Sequence, residues 1–183
     1  MRATDVLTDG FSRVRDDVDA LLSGDSRTGV GPQQGVTREQ LVFRIDGSSN
    51  TIAWLVWHLT RVEDDHVADV AGSEQVWTSQ GWADRFGLPF PDSATGYGQS
   101  AREVGEVTPS AELLSGYFEA VRTRTLAYVD GLSDDDLDRV VDERWDPPVT
   151  LGVRLLSVIG DGLQHTAQAA YVLGVAQRAA ARA

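Results

Sequence analysis

The sequence predicts an all-α protein folded as a four-helix bundle, one domain spanning residues 1–183. Three observations carry this expectation. Four long stretches repeat apolar residues at three- and four-residue spacing, no stretch alternates apolar and polar residues like a strand, and no segment repeats another. A chain of 183 residues with 42% hydrophobic content can close one sizeable core.

The first stretch carries Leu7, Phe11, Val14, Val18, Leu21 and Leu22 on one face, and "SGDSRTG" ends it. The second takes Ser49 or Asn50 as its N-cap, runs through "TIAWLVWHLTRVEDDHVADVAG" and stops at Gly72. The third takes Thr108 as its N-cap with Pro109 in the first turn, and turns Leu114, Phe118, Val121, Tyr128 and Leu132 inward. The fourth spans about Leu151 to Ala176. Residues 73–108 form a long connection rich in Gly, Pro and aromatics, which Trp77, Trp82, Phe86 and Phe90 are expected to pin to one end of the bundle. Segment 24–48 wraps the surface with one apolar patch, "LVFRI". "SDDDLDRVV", at 133–141, reads as a short helix whose acidic first turn suits the helix dipole.

Composition excludes several function classes. A net charge of −12 leaves no basic stripe for nucleic acid and disfavours an anionic membrane surface. No apolar run reaches the roughly 18 residues of a membrane span. The opening "MRATDVLTDG" lacks a signal-peptide core, so a cytoplasmic protein is expected. With no cysteine, the chain has no thiolate nucleophile or thiolate ligand. All sixteen basic residues are arginine, which excludes Schiff-base chemistry.

The residues left to carry chemistry are few. Asp161 and His165, in "DGLQHTAQAAY", lie about 40° apart on a helical wheel and can reach one point beside the helix. Gly162 and Ala169 are expected to leave room on that face. The pair reads either as two ligands of a divalent metal or as a hydrogen-bonded polar spot. His58 lies in "IAWLVWHL", apolar nearly all round, so it needs a partner: a backbone carbonyl, or a site shared with Asp161 and His165 across the core. His66 is a rival, closer to the apolar stripe but set in the polar "VEDDH", where Glu63, Asp64 and Asp65 read as a solvated acidic face.

With these residues in view, nearly the whole chain resembles the DinB-like superfamily of metal-binding four-helix bundles, and within it the actinobacterial mycothiol S-transferase branch. The resemblance is carried by "SNTIAWLVWHLTRVEDDHVA", "VWTSQGWADRFGL", "TGYG", "LLSGYFEAV", "DERWDPPVT" and "DGLQHTAQAAY". It implies one divalent metal held by His58, Asp161 and His165. The commoner family pattern has histidine where this chain has Asp161. It also implies a crossed connection in the bundle and a homodimer.

The cation implied is zinc first, with nickel, manganese or iron as alternatives, and the co-substrate is mycothiol, which would attack an electrophilic small molecule. On this reading Gln168 supports His165 or lines the site. Arg61 and Arg154 meet an anionic part of a substrate, and Trp54, Trp57 and Tyr117 wall the electrophile. Two other readings stand beside it: a thiol-dependent isomerase or metal-assisted hydrolase on the same bundle, and a non-enzymatic dimeric bundle that binds metal or a small molecule.

Overall fold

The computed structural model describes residues 2–24 and 35–182. Four long helices form the bundle: α1 (Ala3–Ser23), α3 (Ile52–Ala71), α7 (Ala111–Asp130) and α8 (Leu151–Ala180). α3 packs against α7 and α8, and α1 packs against the same two helices, so α1 and α3 stand on one diagonal and α7 and α8 on the other. The α1–α3 and α7–α8 connections therefore each cross the bundle. Leu7, Phe11, Val14 and Val18 of α1 meet Leu55 and Leu59 of α3, Leu114, Phe118 and Val121 of α7, and Leu155 and Ile159 of α8 in one core.

Local chemistry fixes the helix ends. Thr51 caps α3, its hydroxyl accepting from Trp54 N at 3.1 Å, and Gly72 closes that helix in the left-handed conformation. The expected caps Ser49 and Asn50 lie just outside. Ser49 is instead held in a turn, its backbone N–H donating to Asp46 Oδ1 at 2.8 Å. Ser110, not Thr108, caps α7, and Pro109 precedes the helix. Thr150 caps α8, which runs four residues beyond the expected end at Ala176.

The connections hold more structure than their sequence suggests. The short helix α2 (Arg38–Leu41) follows the first connection, and residues 25–34 of that stretch lie outside the described residues. Three more short helices, α4 (Val76–Ser79), α5 (Trp82–Phe86) and α6 (Ala101–Glu106), interrupt 73–108. Trp77 and Trp82 are buried, and Phe86 and Phe90 pack on the core beside them. Tyr117 of α7 is the hub: the rings of Trp77, Trp82 and Phe86 surround it with centroids at 5.0, 5.7 and 5.7 Å.

Within residues 133–141 the expected short helix with an acidic first turn is a 3₁₀ helix, and it is shorter than expected. One 3₁₀ turn (Asp135–Asp138) leads into β1 (Val140–Asp142), which pairs antiparallel with β2 (Val149–Thr150). Asp142 ties this hairpin to α8 by accepting from Arg154 Nη2 at 3.0 Å.

The acidic run on α3 is not a solvated face either. Glu63 and Asp64 are buried at 4% and 3% exposure. The Glu63 Oε1 atom has no hydrogen-bond partner, and burial pushes its carboxyl from 4.5 up to about 7. The neighbouring Thr125 hydroxyl, itself unpartnered, offsets only part of that shift. A folded-state pKa raised above the unfolded value makes a contribution that is fully present below pH 4.5 and lost as pH rises through about 7. The loss corresponds to about 3 kcal/mol. Glu63→Gln should remove this dependence, so urea unfolding of the variant and the wild type should match more closely at pH 5 than at pH 8, where the variant is the more stable. Equal wild-type and variant midpoints at pH 8 would show that Glu63 ionises without cost.

Candidate metal centre

α3 and α8 pack face to face, and their contact brings His58 within reach of Asp161 and His165. One ligand atom from each of the three lies within 4.8 Å of the other two, close enough for small side-chain rotations to place them on one cation. The imidazoles meet edge to face with centroids 4.8 Å apart, and His165 Nε2 is 3.5 Å from Asp161 Oδ1. Among the described residues, this is the one group of three or more acids and histidines so arranged.

Hydrogen bonds orient both imidazoles through Nδ1. His58 Nδ1 contacts the backbone carbonyl of Thr95; because that oxygen can only accept, Nδ1 carries the proton and Nε2 keeps its lone pair. His165 Nδ1 lies 3.0 Å from Gln168 Oε1, while its Nε2 faces Asp161 Oδ1. Both imidazoles are thus oriented through Nδ1 by an oxygen acceptor, the usual arrangement behind a metal-binding histidine. Asp161 Oδ2 is buried without a hydrogen-bond partner, an arrangement that leaves a carboxylate oxygen available to a cation. Two imidazoles and one carboxylate form a donor set suited to zinc and to nickel, manganese or iron.

Electrostatics divide the two histidines. Burial pushes His58 below the usual imidazole value, with the Thr95 contact opposing it. His58 is therefore neutral at pH 7, as a ligand must be. The Asp161 carboxylate beside His165 raises that imidazole, so a cation binding there displaces a proton.

The long connection roofs His58. Trp54 stacks on the imidazole at 4.6 Å and 16°, and its Nε1 donates to Gln99 Oε1 at 2.7 Å. Gly96 sits between these points with φ of +97°. A Cβ there would stand 2.8 Å from His58 Nδ1 and 3.1 Å from both Trp54 Cζ2 and Trp57 Cζ3, so both space and backbone demand glycine. Nothing in the lone motif "TGYG" reveals this approach; only the folded loop places Gly96 against the ring.

Several expected site residues stand elsewhere. Arg61 is 0% exposed and cannot meet a substrate anion. It donates to Ala94 O at 3.1 Å, Asp92 O at 3.1 Å, Gln75 Oε1 at 2.9 Å and Tyr117 Oη at 3.2 Å, and lies 3.6 Å from Asp64 Oδ2. Tyr117 and Trp57 are core residues, at 0% and 1% exposure, rather than walls open to an electrophile. Arg154 is spent on Asp142 and on His66 Nδ1, 3.2 Å away, and this contact holds His66 apart from the cluster. Burial, and then Arg154, lower the His66 pKa. Gly162 does not open space at the centre: it faces α1, where an added Cβ would lie 3.0 Å from Val14 Cγ1.

Two substitutions test these assignments. Asp161→Ala should weaken binding of a divalent cation, measured by competition with a chromogenic chelator, since it removes the one anionic donor; unchanged affinity would mean that Asp161 is not a ligand. Gly96→Ala should also weaken it while the far-ultraviolet circular dichroism stays helical. The left-handed backbone and the close contacts cost about 1–3 kcal/mol and push the Thr95 carbonyl off His58.

The family relationship agrees with this architecture. A crystal structure of a conserved protein from Enterococcus faecalis superposes with a TM-score of 0.82 at 28% sequence identity, covering 94% of this chain and 96% of the other. No curated protein sequence matches the chain. No described helix is long and apolar enough to cross a membrane. The sequence profile of the DinB superfamily, whose members often bind metal, matches residues 11–169 and so takes in His58, Asp161 and His165. The chain belongs to the DinB superfamily.

Proposed function

We propose that this protein is a metal-dependent transferase that activates a low-molecular-weight thiol, mycothiol by resemblance, for attack on an electrophilic carbon. The observation that carries the reading is the convergence of His58, Asp161 and His165, with His58 Nε2 free and Asp161 Oδ2 unpartnered. Three protein donors would leave a bound cation further positions for water or substrate, as in catalytic rather than structural metal sites. The chain has no cysteine, so any sulfur nucleophile comes from outside.

A divalent cation, zinc first, would supply the positive charge that favours a thiol's deprotonated form at neutral pH. The chain's own residues do the rest. Neutral His58, fixed by Thr95 and stacked on Trp54, holds its lone pair in one direction. Asp161 brings one negative charge, which lowers the net charge of the site and keeps the sulfur nucleophilic. Asp161 and His165 are only partly buried, so the thiol proton leaves to solvent on that side. The sulfur then forms a C–S bond as the electrophile's carbon–leaving-group bond breaks, and the leaving group carries off the electron pair.

The direct test is turnover of a fluorogenic electrophile such as monobromobimane, with and without added thiol. Product should form above the uncatalysed rate only with thiol and divalent metal together, and His58→Ala should abolish the excess. Turnover without thiol would turn the reading towards a hydrolase. Metal binding without turnover of a panel of electrophiles would favour a non-enzymatic binding bundle.

A further inference from the structure

A recess of about 300 Å³ lies between the C-terminal halves of α3 and α7, at the small end of the range of small-molecule sites. It is on the α7 side of α3, whereas the candidate metal centre is on the α8 side. Ala68 and Ala71 of α3 and Ala127 of α7 line it, and their side chains are too short to close the gap between the two helices. Val67 and Val121 complete the apolar walls.

One charge in this recess is left unanswered. Among the described residues five arginines are part-buried: Arg15, Arg44, Arg122, Arg124 and Arg154. Four of them have partners. Arg15 faces Asp19 and Glu119, Arg44 donates to Gly47 O and Ala101 O, Arg122 meets Glu119, and Arg154 meets Asp142. Arg124, which lines the recess, has no hydrogen bond and no ion pair with any described residue. In a chain with 28 acidic residues against 16 basic ones, a part-buried guanidinium without a carboxylate is unexpected, because its desolvation goes uncompensated.

The one carboxylate in the lining does not supply that partner. Asp64 Oδ1 accepts from Val76 N, Oδ2 accepts from Trp77 N and Tyr117 Oη, and the Arg61 guanidinium balances its charge at 3.6 Å. Tyr128 presents its ring, since its hydroxyl donates to Val70 O and accepts from Arg139. A guanidinium offers a planar fork of donors that matches the two oxygens of a carboxylate. No second cation lines the recess, so a dianionic phosphate would leave one charge unmatched beside Asp64.

We propose that this recess binds a small monocarboxylate, its carboxylate on Arg124 and its aliphatic or aromatic body against Val67, Ala68 and Val121. The site is separate from the candidate metal centre, and the proposal does not rest on the transferase reading.

The test follows the Arg124 Nε–H signal and the Ala68 and Ala127 methyl signals by NMR on the protein as purified. Hexanoate should shift all three saturably. Hexanamide, which has the same body without the charge, should bind about 10- to 100-fold more weakly, and so should hexanoate to Arg124→Gln. Ala127→Phe, at an exposed lining position, should fill the recess and abolish the shifts while the rest of the spectrum stays in place. Absence of shifts with hexanoate, equal binding of hexanamide, or hexanoate shifts that survive in either variant would overturn the proposal. Tighter binding of hexyl phosphate than of hexanoate would overturn the carboxylate assignment. Hexanoate shifts confined to the His58 and His165 imidazoles would place the carboxylate at the metal centre and equally overturn it.

Discussion

The wholly buried guanidinium of Arg61 is the fastening on which the site depends. A planar, permanently charged group inside a bundle is tolerable only when its donors are met, and here they are met from three directions. Two loop carbonyls, Asp92 O and Ala94 O, receive it from the long connection. Gln75 Oε1 receives it from the turn after α3, and Tyr117 Oη from α7. Asp64, one turn along α3, completes the group by accepting from the backbone of Val76 at 2.8 Å and Trp77 at 2.7 Å and from Tyr117 Oη at 2.9 Å. One ion pair thus binds the start and the middle of the long connection, beside the aromatic anchors.

The candidate metal centre inherits its order from that fastening. Thr95 follows Ala94 directly, so the carbonyl that orients His58 is held by the same loop turn that Arg61 clamps. Gly96 then lets the chain pass over the imidazole, and Gln99 secures the Trp54 ring stacked beneath. His165 is supported differently, from within its own helix by Gln168. One histidine is therefore rigid and buried, while the other stands at the open side. A centre with one fixed and one accessible edge suits a site that binds its cation firmly and exchanges small molecules.

Much of this was legible in the sequence. The helical periodicity located four long helices to within a few residues, and His58, Asp161 and His165 stood out as polar groups on faces that must pack. The caps were harder, because Ser49, Asn50, Thr51, Thr108 and Ser110 are all plausible caps and only tertiary packing selects among them. The β-hairpin escaped because strands of two or three residues show no periodicity. The role of the "RVEDD" run was misread for a deeper reason. Glu63, Asp64 and Asp65 look like a solvated face, and Arg61 like a contact for an anion, until the aromatic connection folds over them, and local sequence cannot show that Trp77 and Tyr117 will close that side. Gly96 entered only within the resemblance motif "TGYG", whose structural reason, a close approach between residues nearly forty positions apart, local sequence cannot show.

The central claim is that His58, Asp161 and His165 form one cation site. Elemental analysis of the wild-type protein and of His165→Ala, purified identically without a metal-binding tag, tests it most directly. The account predicts about one equivalent of a divalent transition metal in the wild type and its loss in a variant that keeps its helical content. A wild type that holds no metal even after reconstitution, or a variant that holds as much as the wild type, would contradict it.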